Sequence, residues 1–426
     1  MTISRRFPRT WIQPGAWLIA LAVAWTTLVL VRYESRDPDS ALHVDIERDL
    51  ASLPAARWIA PEWWGYWDSE GLYREHPVGI FLPPVLLARL GYPAAQAGYA
   101  INALYQVLTI LLIYQLAAVF LSPRDARALA WLLQLLPIAF TYRVRANHEQ
   151  AVLLCLLVAI YATERARRSP AWGWLQAAAT AAMLLVKGMF AVLVPLVCGL
   201  WLILGHVWSG HRGTGAQRTP RSTGHGGTEA RSDVSAWLGL AGSVVVAVVL
   251  GLAYESAYRH ATGQSFLAEY LRRQLVLAAA QTGPWPVLQK LENVAWYLGR
   301  IFWFALPWTI VLLVAAWHRW RGISAELAAC DRTGREWQGL APTLAVAVFW
   351  VALFSLSDRR ADRYIFPVYV LVGGAGAGLA LCRSPRLRGW VARVEQLHPV
   401  EIAAVWLALF FLHIASVALG LPLVKL

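Results

Sequence analysis

Acidic residues gather in one short stretch of the chain, directly after the first apolar segment. The stretch contains the carboxylates Asp37, Asp39, Asp45, Glu47 and Asp49. A carboxylate held in a loop can accept the proton of an acceptor hydroxyl in a group-transfer reaction. We therefore predict a catalytic loop here, with Asp39 and Asp37 as the candidate general bases.

Further polar side chains stand at the ends of later apolar segments. They combine carboxylates, cations and one histidine, namely Glu75, His76, Arg143, Arg145, Glu149, Lys187, Arg359, Arg360 and Arg363. The topology predicted below brings them to the same membrane face as the acidic stretch. Cations at such a face stabilise the charge that grows on a departing phosphate. This combination suits a sugar transferase with a polyprenyl-phosphate donor, in which Glu149 is a further candidate catalytic carboxylate. Direct displacement would invert the configuration of the sugar.

The composition is that of a membrane protein. Of 426 residues, 58% are hydrophobic and 15% are charged, and the mean hydropathy is +0.48. Soluble proteins average about 45–50% apolar and about 25% charged residues. Because apolar runs of about 20 residues recur along the chain, we predict an all-α integral membrane protein with one polytopic domain over residues 1–426. Most basic residues fall in short loops between these runs, so positive-inside topology explains the net charge of +13 without a nucleic-acid partner.

The basic N-terminus sets the predicted orientation. Arg5, Arg6 and Arg9 precede the first apolar run and place the N-terminus in the cytoplasm. No small-residue cleavage site follows that run, which indicates an uncleaved span in the bacterial inner membrane. The pattern predicts about eleven spans, at residues 15–32, 98–121, 128–141, 150–163, 172–186, 190–204, 237–254, 295–317, 340–356, 364–381 and 401–421.

The loops between these spans differ in character. Residues 33–97 form a predicted periplasmic catalytic loop and residues 255–293 a second periplasmic loop. Residues 206–234 are rich in glycine, threonine, serine and arginine, which is typical of a disordered cytoplasmic linker. In the first loop, Ile46, Leu50 and Leu53 recur at helical spacing while Asp45 and Asp49 fall on another face. This pattern predicts an amphipathic helix lying in the membrane interface.

A basic turn at residues 358–363 falls on the outer face in this topology. Arg359, Arg360 and Arg363 there run against the positive-inside tendency. Binding of an anionic lipid headgroup would account for the exception.

The cysteines point to neither a metal cluster nor a structural disulfide. Cys155, Cys198, Cys330 and Cys382 form no CxxC pair. We expect no cofactor from these residues.

These motifs, in this order, resemble those of the type-C glycosyltransferase superfamily, particularly the bacterial branch of lipid A aminoarabinose transferases and protein O-mannosyltransferases. Asp37-Pro38-Asp39 is similar to the family's acidic motif after the first span, with Asp39 at the catalytic aspartate. The other elements of the resemblance are Val44-Asp45-Ile46 in the interfacial helix, Glu75-His76-Pro77, Arg143 or Arg145 with Glu149, Val186-Lys187-Gly188, Phe354-Ser355 and Arg363-Tyr364-Ile365-Phe366-Pro367.

The resemblance implies roles for individual residues. His76 stands where the family usually has lysine, and Leu42 where it often has arginine; both positions imply contact with the donor phosphate. Arg143, Arg145, Lys187, Arg359, Arg360 and Arg363 would share that phosphate. Glu75 and Asp45 would lie next to the substrate or a metal, because in the aminoarabinose branch the glutamate joins a histidine at a metal. His76 or His260 would supply that histidine here, so a divalent metal stays open.

Several alternatives remain open at this stage. Asp37 could serve only as a helix cap before Pro38, and Asp45 and Asp49 could form a solvated helix face. Lys187 and Arg363 could anchor spans at the interface. The protein as a whole could be a flippase or transporter of lipid-linked sugars, although no second copy of the acidic loop supports internal repeats. A polysaccharide polymerase or ligase with a pyrophosphate-linked donor is a third possibility. The predicted partners are the polyprenyl-phosphate sugar donor, membrane lipids, and a lipid, glycan or protein acceptor.

Overall fold

The computed structural model describes residues 37–63, 71–134, 136–143, 145–210, 226–276, 286–321, 335–357 and 360–394. The predicted spans at residues 15–32 and 401–421 lie outside these ranges, as does Arg359. Within them the chain is helical, and the one extended pairing is an isolated antiparallel bridge between Glu62 and Leu72. The predicted all-α fold class is confirmed for this part of the chain.

We number the helices in chain order. They are α1 (Pro38–Ser52), α2 (Leu82–Arg89), α3 (Ala94–Phe120), α4 (Pro123–Leu133), α5 (Pro137–Arg143), α6 (Glu149–Ala166), α7 (Trp172–Lys187), α8 (Phe190–Gly210), α9 (Gly226–Thr262), α10 (Phe266–Leu271), α11 (Pro286–Phe304), α12 (Trp308–Trp320), α13 (Arg335–Ser355), α14 (Phe366–Arg383) and α15 (Pro385–Val394). A short π-helical segment, Arg272–Val276, follows α10, and a 3₁₀ turn, Asp362–Ile365, precedes α14.

Several of these helices have the length and apolarity of membrane spans. In the described ranges, Ala94–Phe120, Val234–Thr262 and Asp362–Arg383 qualify singly, and Val287–Phe304 with Trp308–His318 qualifies as a bent pair. The protein is therefore a multi-pass membrane protein, as expected. The predicted count of eleven spans is not confirmed by these helices.

Two predicted spans are broken rather than continuous. The span predicted at 128–141 is divided between α4 and α5, and α5 begins at Pro137. The span predicted at 295–317 is divided between α11 and α12, whose axes are bent by 111° around Pro307. Proline has no amide hydrogen to donate to the preceding helical turn, which explains why both breaks fall beside one.

The linker predicted at 206–234 is entered by helices from both sides. Helix α8 extends to Gly210 and α9 begins at Gly226. Residues 211–225 lie outside the described residues.

Helix α1 has the amphipathic form that its sequence predicts. Ile46 and Leu50 are buried, whereas Asp45 and Asp49 are exposed. Burying a side chain of this size contributes roughly 1.5–3 kcal/mol. The buried face packs against α2 and α3, so the acidic stretch is fixed to the helical bundle.

Helix α6 lies at the centre of the fold. It packs against α3 and α7, and most of its residues are buried. Its first residue, Glu149, and the last residue of α7, Lys187, come together at one end of the bundle. Gly79 contacts the backbone of Leu185 so closely that a Cβ there would lie 2.8 Å from its carbonyl oxygen. The segment before α2 is thereby held against the same end of α7.

Candidate active site

Asp37 caps helix α1, as one of the sequence alternatives predicts. Its carboxylate accepts hydrogen bonds from the backbone nitrogen of Ser40 at 3.1 Å and from the Ser40 hydroxyl at 2.8 Å. Pro38 occupies the first helical position. A second oxygen of Asp37 lies 3.6 Å from the Arg145 guanidinium. The side chain of Asp37 is only 9% exposed, so it serves as a cap and as a partner of Arg145.

Asp39 faces outward in the first turn of α1. Its carboxylate accepts a hydrogen bond from the guanidinium of Arg363, which lies in the turn before α14. The side chains of Asp39 and Arg363 are 39% and 33% exposed. The structure thus brings together two of the predicted groups, and it leaves Asp39 more accessible than Asp37.

The segment before α6 is joined to α1 by Ser40. The Ser40 hydroxyl accepts a hydrogen bond from the backbone nitrogen of Ala146 at 3.0 Å while donating to Asp37. Arg145 also lies over the ring of Tyr142, 4.9 Å from its centroid. The predicted approach of Arg145 and Glu149 to the acidic stretch is therefore present.

Behind Asp39 lie three imidazole rings and a lysine, which we call the histidine cluster (His43, His76, His148 and Lys187). The ring centroids of His43 and His76 are 5.6 Å and 4.8 Å from that of His148. The amine of Lys187 contacts Nε2 of His148. Lys187 is 3% exposed, so it does not anchor the span by reaching to the surface.

Glu149 adjoins the histidine cluster. One oxygen of its carboxylate lies 3.2 Å from Nε2 of His148, and Glu149 is buried. Its position at the first turn of α6 places it beside Lys187, whose amine also lies over the rings of Phe190 and Tyr364.

Burial keeps the imidazoles of His43 and His76 neutral. The pKa of His43 is lowered to about 4, chiefly by loss of hydration and also by Lys187, whereas Asp37 and a hydrogen bond with the Ala146 backbone act in the opposite direction. Burial also lowers the pKa of His76 well below its usual range, with Lys187 and His43 contributing. Both rings are therefore uncharged near pH 7.

The turn after α7 fixes the position of Lys187. Gly188 has a φ of 56°, a conformation that favours glycine. The Tyr270 hydroxyl donates to the carbonyl of Lys187 at 3.1 Å and accepts from the backbone nitrogen of Met189 at 2.9 Å. A Cβ on residue 188 would lie 2.4 Å from that hydroxyl. The tight turn predicted at Lys187-Gly188 is present, and Tyr270 holds it.

Glu75 points away from the histidine cluster, toward the second predicted loop. Its carboxylate lies 2.9 Å from the Arg273 guanidinium, and Arg273 also reaches Glu269 at 2.6 Å. Hydrogen bonds from Arg272 and Arg273 lower the pKa of Glu269 to about 2. Glu75 therefore joins two loops through ion pairs.

Other predicted residues lie apart from the cluster. Arg360 contacts Asn293 at 2.6 Å and Glu292 at 3.1 Å. Asp45 is 67% exposed and pairs with Arg48 on its own helix, which agrees with a solvated helix face. Of Arg143 the structure describes only the backbone, at the end of α5. His260, on α9, is exposed, and no group of residues that could hold a metal is found in the described ranges.

Sequence reasoning did not single out three buried polar residues of this site, His43, Glu47 and His148. His43 and Glu47 are four positions apart on α1 and both lie on its buried face, whereas His148 directly precedes α6. Glu47 is 3% exposed, and its Oε2 would be 2.4 Å from a Cβ on Gly98. For His43 and Glu47 the sequence does carry a signal, because they stand at helical spacing with the apolar residues Ile46 and Leu50.

Comparison with solved structures identifies the fold. ArnT from Cupriavidus metallidurans bound to undecaprenyl phosphate aligns over 97% of this chain and 73% of its own, with 18% identity and a TM-score of 0.63. The chain has the ArnT fold. ArnT in the apo state aligns over 89% of this chain and 62% of its own, with 19% identity and a TM-score of 0.58.

A match in sequence accompanies this likeness. The family model of dolichyl-phosphate-mannose-protein mannosyltransferases matches residues 75–214. A comparison with curated proteins finds no match. The match to residues 75–214 and the ArnT fold both agree with the resemblance that the motifs indicate.

Proposed function

We propose that this protein is an integral-membrane glycosyltransferase that moves a sugar from a polyprenyl-phosphate donor to an acceptor on the periplasmic face of the bacterial inner membrane. One observation carries this proposal. An accessible carboxylate, Asp39, adjoins a buried group of basic side chains at one end of a bundle with the ArnT fold. Proton acceptance and stabilisation of a leaving phosphate need these two features side by side.

In the proposed reaction, Asp39 accepts the proton of the acceptor hydroxyl. The hydroxyl oxygen attacks the anomeric carbon while the bond from that carbon to the phosphate oxygen breaks. The electron pair of that bond goes to the phosphate, which gains a negative charge. We assign the stabilisation of this charge to Arg363, which pairs with Asp39, and to Lys187 of the histidine cluster. The sugar, a hexose or pentose, changes its anomeric configuration.

Each further candidate has a role suited to its place. Arg363 orients Asp39 and lies within reach of the phosphate, while Arg145 fixes the N-terminus of α1 through Asp37. Glu149, a buried carboxylate 3.2 Å from His148, is the second candidate base. Glu75 stabilises the loop around the site through Arg273 rather than contacting the phosphate.

A transfer assay tests the proposal. Purified protein receives radiolabelled polyprenyl-phosphate sugars and a membrane extract as acceptor. Asp39→Asn should lower the transfer rate by roughly 10²–10⁴-fold, the usual contribution of a general base. Asp49→Asn is the matched control, because Asp49 is an exposed carboxylate on the same helix, and it should retain the wild-type rate.

Three results would lead elsewhere. Equal transfer rates for Asp39→Asn and the wild type would support the glycosyltransferase activity but show that Asp39 is not its general base. Transfer with retained anomeric configuration, read by NMR of the product, would contradict direct displacement. Movement of labelled lipid across reconstituted vesicles without any transfer product would establish a flippase instead.

A further inference from the structure

An apolar cavity lies between the second halves of α3 and α14, away from the candidate active site. Its volume is about 120 Å³, and α4, α6, α8 and α13 complete its wall. Helix α14 starts at Phe366, just after Arg363, and lines the cavity as far as Cys382. At 1.5 Å per helical residue, Cys382 lies roughly 24 Å from Phe366 along the axis. The cavity therefore reaches the end of the bundle opposite Asp39.

Small residues on facing helices leave this space. Gly374 and Gly378 lie one turn apart on α14, and Gly339 lies on α13. A Cβ on residue 378 would meet no atom within 4 Å. The rest of the wall is mainly aliphatic and aromatic. Because an engineered apolar cavity of about 150 Å³ binds benzene, this cavity has the size and character to accommodate a short length of hydrocarbon chain.

Arginines gather at the same end of the bundle, in the segments 122–127 and 383–388. They are Arg124, Arg127, Arg383, Arg386 and Arg388. The two segments come together because α4, α14 and α15 pack against one another. They hold one carboxylate, Asp125, against these five arginines, so positive charge predominates. Glu164, behind the cavity wall, is 3.6 Å from Arg167 and accepts a hydrogen bond from the lining Trp201 at 3.3 Å.

Arg383 differs from the exposed arginines beside it. Its Nε and Nη2 atoms are buried and have no hydrogen-bond partner in the described part of the chain. It stands four positions after Leu379 and directly after Cys382, which both line the cavity. Because helical side chains lean toward the N-terminus of their helix, the Arg383 guanidinium lies over this turn, at the end of the cavity.

Positive-inside topology does not account for this burial. It explains basic residues in contact with water, such as Arg386 and Arg388, and requires no buried guanidinium. Buried polar atoms are nearly always hydrogen-bonded, and a guanidinium makes its strongest hydrogen bonds to carboxylates and phosphates. The two unsatisfied nitrogens of Arg383 therefore point to an anionic ligand.

Helix α15 places this anion site at the membrane surface. Leu387 and Val391 face the core, whereas Arg386, Arg388 and Trp390 are exposed. This is the pattern of a helix that lies in the interface and attracts anionic headgroups through its basic face. Because only Ser384 separates α15 from Arg383, a phosphate bound at Arg383 would lie at headgroup depth, with the apolar cavity extending inward from it.

We propose that this end of the bundle binds an anionic phospholipid, with its phosphate at Arg383 and one acyl chain in the apolar cavity. A diacyl lipid with a negatively charged headgroup uses both features at once. The sugar donor is also an anionic lipid, but its phosphate is assigned to the opposite end of α14, so the lipid bound here is a second one. This inference goes beyond the proposed function and does not depend on it. In the proposed orientation the lipid belongs to the cytoplasmic leaflet.

Cross-linking with a photoreactive lipid tests the site. The probe is phosphatidylglycerol with a diazirine on one acyl chain, added to the full-length protein in nanodiscs of phosphatidylcholine. Mass spectrometry of the digested protein should find the cross-links on cavity-lining residues of α3, α13 or α14. Unlabelled phosphatidylglycerol should compete with the probe. A phosphatidylcholine probe with the same modified chain should label these residues several-fold less.

One pair of variants tests the headgroup contact. Arg383→Gln should weaken labelling by the phosphatidylglycerol probe roughly tenfold or more, the factor that a hydrogen bond to a charged group contributes. Arg321→Gln is the control, because Arg321 is an exposed arginine at the end of α12 that lies over Trp317. Thermal unfolding shows whether each variant is folded. If Arg383→Gln is not, the exposed pair Arg386→Gln and Arg388→Gln replaces it and should also weaken labelling.

A second pair of variants tests the chain contact. Gly378→Leu fills the cavity, so it should remove the cross-links from the lining residues. Gly242→Leu, on α9, is the matched control, because a Cβ there also meets no atom within 4 Å and Gly242 does not line the cavity. This control should label like the wild type.

Four results would overturn the inference. Equal labelling by the two probes, or unchanged labelling of Arg383→Gln, would show that no anionic headgroup is recognised. Absence of cross-links from the cavity would mean that it is filled by the chain itself, for example by residues 401–421. Stronger competition by undecaprenyl phosphate than by phosphatidylglycerol would assign the cavity to the polyprenyl carrier. Competition by inorganic phosphate alone would show a site for free phosphate. The glycosyltransferase proposal is tested separately, by the transfer assay with Asp39→Asn.

Discussion

Tyr270 controls the position of the single lysine of the site through its hydroxyl. That hydroxyl bonds to the backbone on both sides of Gly188, so its removal frees the turn that presents Lys187. Two hydrogen bonds of about 0.5–1.5 kcal/mol each are lost in Tyr270→Phe. We expect roughly a tenfold fall in kcat/KM for the donor, since about 1.4 kcal/mol corresponds to a factor of ten.

Steady-state kinetics of Tyr270→Phe, with the transfer assay above, measures this effect. Because we assign Lys187 to the donor phosphate, the KM for the donor should rise and kcat should fall. The KM for the acceptor should not change. Tyr161→Phe is the control, since Tyr161 lies toward the other end of α6, against Trp172. An equal fall in both variants would mean that the effect is a general loss of packing.

At the scale of one element, α1 carries a carboxylate on its buried face. Burial raises the pKa of Glu47 well above its usual value. A group whose pKa is higher in the folded than in the unfolded state binds more protons when folded. Its contribution to stability is complete below the unfolded pKa and is lost as the pH rises through the folded one. Glu47→Gln keeps the shape of the side chain but cannot ionise, so this variant does not lose stability in this way as the pH rises.

The expected result is a difference that grows with pH. Glu47→Gln should have the same Tm as the wild type near pH 4 and a higher Tm above neutral pH. His43 acts in the opposite direction, because its lowered pKa removes stability as the pH falls from about 6.5 toward 4. Comparing the two proteins at each pH cancels the effect of His43. A constant difference across the pH range would show that Glu47 does not titrate with folding.

Helix α1 also shows where sequence reasoning succeeds and where it ends. Its amphipathic spacing predicts which apolar residues are buried, and Ile46 and Leu50 confirm it. The same spacing places Glu47 on the buried face, whereas its charge favours exposure, so the pattern alone does not decide its position. Glu47 is buried because the neighbouring helix α3 has a glycine, Gly98, which leaves room for the Glu47 carboxylate. A single sequence does not contain that complementarity.

For the whole molecule, the sequence predicts which residues lie at the same membrane face, but it does not predict which side chains pair with each other. The order of apolar segments and basic loops predicts that Asp39 and Arg363, which lie 324 positions apart, share one face, and they are in contact. The family resemblance implies phosphate contact for His76 and a place beside the substrate or a metal for Glu75, but it does not predict the ion pair of Glu75 with Arg273. Hydrophobic periodicity likewise predicts one span across α11 and α12 and does not reveal the break beside Pro307.

The pairing of Glu75 with Arg273 joins the first predicted loop to the second across the mouth of the site. The Arg273 side chain is 6% and the Glu75 side chain 28% exposed, so water screens the pair less than a surface ion pair and the coupling between its charges should be larger. A double-mutant cycle of Glu75→Gln and Arg273→Gln, followed by chemical unfolding, should give a coupling free energy of roughly 0.5–3 kcal/mol. The cycle of Arg57→Gln and Glu62→Gln is the control, because that exposed pair is 3.8 Å apart and should couple by about 0–1 kcal/mol. Equal coupling in both cycles would mean that the two loops are held together by their apolar contacts rather than by this ion pair.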